Sequence, residues 1–170
     1  MRGIDLFATS RSGGAVRDKL QMDQAAAAGL PTRSSARDFA ALLERLSPYV
    51  LSILRIMVAL LFLEHGMSRL FGFPSPLPTP PFLTMYWFAG AIEFTGGILV
   101  LLGLFTRPAA FIMSGEMAFA YFISHAPTGF FPILNRGDGA ILYCFVFLYL
   151  VFAGAGPWSL DALLWRKRHG

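Results

Sequence analysis

The sequence predicts an all-α integral membrane protein: a four-helix bundle preceded by a disordered basic tail. Of its 170 residues, 55% are hydrophobic and only 14% are charged, and the mean hydropathy is +0.57. A single soluble domain of this length cannot bury so much apolar surface. The apolar residues also gather in four segments, each close to the roughly 20 residues that cross a hydrocarbon core of about 30 Å. Because that core contains no water, each crossing segment is expected to be helical.

Residues 1–48 differ from the rest of the chain. They mix basic and acidic side chains with small polar runs such as SRSGG and AAAAGLPTRSSA. No apolar run typical of a signal peptide follows the first basic residues. This composition predicts a mostly disordered cytoplasmic tail that ends in a short surface helix near residues 37–46. Met22 is an alternative to Met1 as the start of translation.

The four membrane helices are predicted at residues 50–71, 84–104, 108–125 and 139–155, within a domain that spans 49–165. Prolines stand at or just before the start of the first and third helices, where proline is tolerated. The stretch GFPSPLPTPPFL separates the first two helices, and its restricted backbone predicts a stiff, extended crossover. The short FTRP turn makes the second and third helices antiparallel neighbours.

The positions of lysine and arginine predict the orientation. With four crossings, the tail, the Arg107 turn and the basic residues 166–170 share one side, and only Arg69 and Arg136 lie on the other. The excess of basic residues on one side predicts a multi-pass protein of the cell inner membrane with both termini cytoplasmic. The net charge of +4 comes largely from the two ends, so it does not indicate a nucleic-acid-binding face.

Ionisable residues inside the predicted helices are the candidate functional residues. On insertion scales each one costs about 2.5–3.5 kcal/mol near the bilayer centre, and such residues almost always pair or face the bundle interior. In the predicted orientation, six of them fall between the midplane and the outer surface, which predicts one shared polar intramembrane site. The six are Glu64, His65, Arg69, Glu93, Glu116 and His125. Asn135 and Asp138, in the next outer loop, are predicted to cover this site.

Several roles fit the predicted cluster, and no catalytic residue is assigned. The residues form a structural network, a site for a small polar or quinone-like ligand, or a proton-handling network. Metal binding is disfavoured because no tight ligand spacing such as HxxxH occurs. Arg55, near the inner end of the first helix, is either an interfacial anchor or a partner for a mid-membrane carboxylate. Cys144 alone cannot support thiol–disulfide exchange and is expected to be a small buried hydrophobe.

Three stretches of the sequence show a resemblance to a known family. They read LRIMVALLFLEHGMSRLFGF, FAGAIEFTGGILVLLGLFTRPAAFI and FISHAPTGFFPILNRGDGAILYCFVFLYLVFAGAGPWSLDALL. The chain resembles the DoxX family of small four-helix membrane proteins over about residues 50–165, and the resemblance does not extend to residues 1–48. Where the family commonly has Asn-Gly-Gly-Glu, this chain has Asn135, Arg136, Gly137 and Asp138.

The resemblance implies a function linked to membrane redox chemistry. The DoxX family includes a subunit of an archaeal quinol oxidase and thiosulphate:quinone oxidoreductase system. The implied role is an accessory subunit of a quinone-linked complex, in which Glu93, Glu116 and His65 polarise or protonate a quinone-like head group. The chain shows no flavin, haem or iron–sulfur motif of its own, so catalysis would depend on partner subunits. The alternative is a non-enzymatic binding, assembly or small-solute protein. A homo-oligomer is compatible with both hypotheses.

Overall fold

The computed structural model describes residues 9–27, 33–75 and 78–169. In these residues the chain forms seven α-helices and no strand, which confirms the all-α class. The helices are α1 (Thr9–Ala27), α2 (Arg33–Phe71), α3 (Met85–Leu102), α4 (Thr106–Ala120), α5 (Pro132–Asn135), α6 (Asp138–Ala153) and α7 (Leu160–His169). A π-helical turn (Tyr121–His125) and a 3-10 turn (Ala126–Thr128) continue directly from α4.

The chain divides between Ser47 and Pro48 into two compact units. The first unit differs from the disordered tail that the composition predicts, because its described residues lie in α1 and the first part of α2. The side chains described there are exposed, so burial does not explain these helices. Alanine, leucine, arginine, lysine and glutamine are strong helix formers, and their propensity favours helix where the low hydrophobicity favours disorder. The short helix expected near residues 37–46 is part of α2.

The second unit contains the segments that were predicted to cross the membrane. Among the described residues, two helices are long and apolar enough to do so by length and composition, namely α3 and the Ser35–Phe71 part of α2. The helix α6 is apolar but has only 16 residues. α3 ends two residues before its predicted end, because Gly103 adopts a left-handed conformation with φ 66° and closes the helix. Gly154 ends α6 with a positive φ of 83° but an extended ψ of −163°.

Glycines bring α2 and α3 into close contact. A Cβ atom on Gly66 would lie only 2.5 Å from the backbone nitrogen of Phe94, and one on Gly97 would lie 3.3 Å from Leu63. Gly90, Gly96 and Gly97 are buried, as expected for small residues at a helix crossing. The crossing at Gly66 lies beside Glu93 and therefore fixes the position of that carboxylate.

Aromatic and polar contacts join the remaining helices of this unit. Phe62 of α2 packs on α6, with ring centroids 5.2 Å from Tyr143 and 4.8 Å from Phe147. Ser114 of α4 donates a hydrogen bond of 2.9 Å to the carbonyl of Cys144 in α6. The buried core draws on α2, α3, α4 and α6 and comprises Ala59, Phe62, Val100, Ala109, Ala110, Met113, Met117, Ala140, Phe147 and Leu150.

Candidate functional site

A groove of about 610 Å³ lies between α3 and α4, with Arg69 of α2 contributing to its wall. We call it the Arg69 groove. Its walls are mostly apolar or aromatic, and apart from Tyr86 its titratable side chains are Arg69, Glu116 and His125. Most of the aromatic rings that line it are exposed on the surface of this chain, so the groove is open on one side. The lining residues are Arg69, Met85, Tyr86, Phe88, Ala89, Ile92, Phe111, Ile112, Gly115, Glu116, Phe119, Ala120, Ile123, Ser124 and His125.

Arg69 links the groove to the buried carboxylate of Glu93. Its Nε lies 3.4 Å from Glu93 Oε2, and the side chains are 34% and 1% exposed respectively. This is an ion-pair distance, but the geometry does not make a hydrogen bond. Neither carboxylate oxygen of Glu93 has a hydrogen-bond partner among the described residues. Within the described chain, the one ion-pair partner of the buried Glu93 is Arg69. A buried carboxyl group that accepts no hydrogen bond is unusual in a protein interior.

Glu116 occupies the other side of the groove, on α4. Its Oε2 is buried and, within the part of the chain that the structure describes, accepts no hydrogen bond. The neighbouring Gly115 also lines the groove, and a Cβ atom there would meet nothing within 4 Å. The groove therefore contains both open space and a buried carboxyl oxygen that accepts no hydrogen bond from the described residues.

His125 is positioned by an irregular end to α4. The π-helical turn Tyr121–His125 widens the helix, a feature that often marks functional sites. Nδ1 of His125 donates to the carbonyl of Asn135 at 2.9 Å. Asn135 is buried, and its Nδ2 donates to the Gly129 carbonyl while its Oδ1 accepts from the Gly137 amide, at 2.7 and 2.8 Å. Asn135 thus stabilises the loop that holds His125, and it does not itself line the groove.

Three of the sequence-predicted residues lie away from the groove. Glu64 and Asp138 are exposed, and Asp138 is the first residue of α6. His65 donates from Nδ1 to the Leu61 carbonyl at 2.9 Å, and its ring packs edge-on against Tyr143 of α6 at 5.9 Å. The depth of a residue along α2 can be read from the sequence, but the neighbouring helix that each face contacts cannot. For this reason His65 and Arg69, one turn apart, were placed in one cluster although they contact different helices.

A second polar centre was missed by the sequence reasoning. Arg55 is fully buried, and its guanidinium donates to four backbone carbonyls. Nε reaches Ala155 at 2.9 Å, Nη2 reaches Trp158 at 2.6 Å, and Nη1 reaches Leu101 at 2.6 Å and also Val100. Neither role considered for Arg55 is correct, because it is neither exposed at an interface nor hydrogen-bonded to a carboxylate. We call this the Arg55 node.

Two of the four carbonyls at the Arg55 node lie at the C-terminal end of α3, where a helix leaves carbonyls without an intrahelical donor. Val100 and Leu101 belong to the last turn of α3, and Ala155 and Trp158 follow the end of α6. A cation is also favoured there by the helix dipoles. The sequence does hold a signal for this contact. Two apolar segments end in glycine, at Gly103 and Gly154, on the side of the predicted membrane where Arg55 lies.

Further polar contacts stabilise the same end of this unit. Asp161 of α7 accepts hydrogen bonds from the amides of Phe105 and Thr106 at 2.9 and 3.0 Å, which caps the start of α4. Arg107 donates to the Val151 carbonyl at 2.8 Å. Across the described residues, no three His, Cys, Asp or Glu side chains are grouped so that they could hold a metal ion.

Comparison with known proteins identifies the family of this chain. The DoxX family model matches residues 50–126, which include Arg55 and every charged residue of the Arg69 groove. A Haemophilus influenzae protein, described as uncharacterized, is 48% identical over 134 residues, covering 74% of this chain and 98% of that relative. This chain belongs to the DoxX family. The predicted resemblance is thereby confirmed.

One further relative of this DoxX chain is described as a membrane protein. An uncharacterized membrane protein of Mycobacterium tuberculosis is 31% identical over 156 residues, covering 80% of this chain and 94% of the relative. A second uncharacterized Haemophilus influenzae protein is 28% identical over 124 residues, covering 67% and 82%. No solved structure matches this chain. The family and the relatives together support a DoxX-like membrane protein.

Proposed function

We propose that this DoxX protein is an accessory subunit of a quinone-linked oxidoreductase complex, and that the Arg69 groove binds the quinone-like head group. In this proposal it is a multi-pass protein of the cell inner membrane with both termini cytoplasmic. The four crossings are the apolar part of α2, then α3, α4 with its π-helical turn, and α6. The excess of basic residues on one side supports this orientation.

The observation that most supports a ligand site is the combination of shape and chemistry in the groove. Its volume of about 610 Å³ lies within the range of small-molecule sites, roughly 300–1,000 Å³. Its walls include Tyr86, Phe88, Phe111 and Phe119, which suit a flat apolar ring. A bilayer-soluble ligand can enter from the open side without leaving the membrane.

The polar side chains of the groove suit the two carbonyl oxygens of a quinone. Arg69 presents N–H donors at one wall, and a protonated Glu116 donates a hydrogen bond from the opposite wall. His125 lies at the end of the groove and is held there by the Asn135 carbonyl. These residues orient the head group and hold a proton near it, while a partner subunit supplies the electron carrier. His65 has no role in this proposal because it lies outside the groove.

A titration with a short-chain quinone analogue in detergent tests this proposal. Wild type should bind saturably. Glu116→Met, which keeps the length but removes the donor, should weaken binding about fivefold, the equivalent of one hydrogen bond of about 1 kcal/mol. Gly115→Phe should abolish binding, because its side chain grows into open space in the groove. Glu64→Gln is the matched control on an exposed carboxylate and should bind as wild type does.

The same titration can refute the proposal. Absence of saturable binding in wild type, or binding that Gly115→Phe leaves intact, excludes the groove as a quinone site. The accessory-subunit role needs a separate measurement. Cross-linking in the native membrane, followed by mass spectrometry, should recover redox subunits with the wild-type protein, and recovery of this chain alone would contradict that role.

A further inference from the structure

We propose that the Arg69 groove also binds hydrophobic monocations, of the type of an aromatic quaternary ammonium ion, through the carboxylate of Glu116. This inference rests on the groove being a ligand site, as in the proposed function. It adds a ligand class that differs from a quinone in charge, and it predicts a different response to substitution of Glu116.

The first argument is the charge count around the groove. Glu93 and Glu116 supply two carboxylates, whereas Arg69 is the one arginine or lysine among the described residues that line the groove, and its ion pair is with Glu93. His125 already uses Nδ1 to donate to a carbonyl. With both carboxylates ionised, the site therefore lacks one positive charge. A proton or a bound monocation restores the balance.

The second argument is the unsatisfied oxygen of Glu116. Its Oε2 is buried and, as far as the described residues go, has no hydrogen-bond partner. Leaving such an oxygen unpaired is unfavourable away from water. Gly115 lines the same groove, and an added Cβ atom there would meet nothing within 4 Å. A cationic head group of the size of trimethylammonium therefore has both space and a counter-charge.

The third argument is the aromatic wall. Tyr86, Phe88, Phe111 and Phe119 line the groove around Glu116. The faces of aromatic rings attract cations, and this attraction strengthens when the site excludes water. Aromatic rings combined with one carboxylate are chemically suited to a quaternary ammonium ion, which needs no hydrogen-bond acceptor of defined geometry.

The proposal predicts effects of opposite sign for two substitutions. Glu116→Gln removes the counter-charge while retaining the shape, so it weakens cation binding. Arg69→Gln removes the cation that competes for the carboxylates, so it tightens cation binding. A purely structural role for these residues predicts no such opposition.

The experiment uses the full-length protein in a non-ionic detergent and calorimetric titration with benzyltrimethylammonium. Neopentylbenzene, the neutral molecule of the same shape, is the ligand control, and titration into detergent alone is subtracted. We expect wild type to prefer the cation by about tenfold or more, and Glu116→Gln to lose that preference. Glu64→Gln, an identical change outside the groove, should bind as wild type does. Equal binding of the cation and its neutral counterpart would overturn the inference.

The measurements remain decisive if Arg69→Gln does not fold. The comparison of Glu116→Gln with Glu64→Gln then decides, provided that both unfold at the wild-type temperature. Titration of the wild-type protein with the quinone analogue distinguishes this inference from the proposed function, because a quinone is neutral and needs no counter-charge. Quinone binding without cation binding overturns the inference alone. Cation binding without quinone binding supports the inference and overturns the quinone site, and loss of both overturns both.

Discussion

The Arg55 node and the Arg69 groove place two arginines of the same helix in opposite situations. Arg55 is fully buried, and its N–H groups donate to four backbone carbonyls. Arg69 is partly exposed and faces carboxylates whose buried oxygens accept no hydrogen bond from any described residue. Buried polar groups in proteins are nearly always satisfied. The Arg55 node therefore has the character of a structural element, whereas the unsatisfied carboxylates of the Arg69 groove support the proposed ligand site.

The two regions also differ in what surrounds the charge. Arg55 meets the C-terminal end of α3, where the carbonyls have fixed positions and partial negative charge, and two carbonyls of the segment that follows α6. The groove is bordered by long side chains and by an exposed glycine, which leave space beside Glu116. Substitution of a structural charge should therefore lower the stability of the protein. Substitution of a ligand-site charge should mainly weaken ligand binding. Substitutions in and around the two regions test this division, and their expected effects on stability decrease from Arg55 to Glu93.

The largest effect is expected for Arg55→Met. It removes the donors of four carbonyls in a buried position, and because each hydrogen bond to a charged group is worth about 1.5–3 kcal/mol, the total loss should exceed about 3 kcal/mol. Thermal unfolding in detergent should show a large decrease in the midpoint. The control is Arg107→Met, which removes one bond, to the Val151 carbonyl, from an exposed arginine and should cost less than about 1 kcal/mol. Similar shifts for the two variants would show that the Arg55 node is not a structural element.

A smaller loss is expected for Gly66→Ala, at the crossing of α2 and α3. The added Cβ would lie 2.5 Å from the Phe94 nitrogen, and because backbone cannot rotate away the helices must separate. We expect a cost near the upper end of the 1–3 kcal/mol range for overpacking, about 3 kcal/mol. Gly115→Ala is the matched control, because its Cβ meets nothing within 4 Å. That variant should gain up to about 1 kcal/mol from helix propensity, and a loss of stability would contradict the open groove.

The helical class, the family and the approximate ends of the apolar helices in the second unit could be predicted from the sequence. These features depend on local quantities: hydropathy, proline and glycine positions, and the spacing of apolar residues. The outcome in the first unit shows the limit of that approach, because α1 forms from residues whose described side chains stay exposed. Low hydrophobicity indicated disorder there, while the helix propensity of the same residues favoured helix.

The candidate site could be predicted only in part, for a geometric reason. Arg69, Glu116 and His125 do line one groove, and Glu93 lies within ion-pair distance of it, whereas Glu64 and His65 lie elsewhere. The sequence indicates the depth and the face of each residue on its own helix. It does not indicate the rotation of one helix against the next, which decides whether two faces meet. The Arg55 node was missed for a related reason, because its partners are backbone carbonyls, which the sequence marks only indirectly through the glycines that end two apolar segments.

An intermediate effect of about 2 kcal/mol is expected for Asn135→Ala. This change removes two hydrogen bonds from a buried amide, to Gly129 and Gly137, and leaves their backbone groups unsatisfied. Because the same loop holds His125, ligand binding in the groove should weaken as well. Asp138→Asn, on an exposed neighbour, should change stability by no more than about 0.5 kcal/mol. Equal effects of the two changes on the thermal midpoint would argue against a positioning role for Asn135.

The smallest effect on stability is expected for Glu93→Gln, although Glu93 is as deeply buried as Arg55. Its carboxylate accepts no hydrogen bond within the described chain, and its ion pair spans 3.4 Å to a partly exposed arginine. An amide of the same shape is less costly to bury than a charge, so the change should stay within about 1 kcal/mol of wild type. Arg69→Gln should be less stable than the double variant Arg69→Gln/Glu93→Gln, because only the single variant leaves Glu93 without its cation. Unfolding midpoints of the three variants provide the measurement. A loss for Glu93→Gln as large as that for Arg55→Met would mean that both buried charges are structural, and the distinction between the node and the groove would fail.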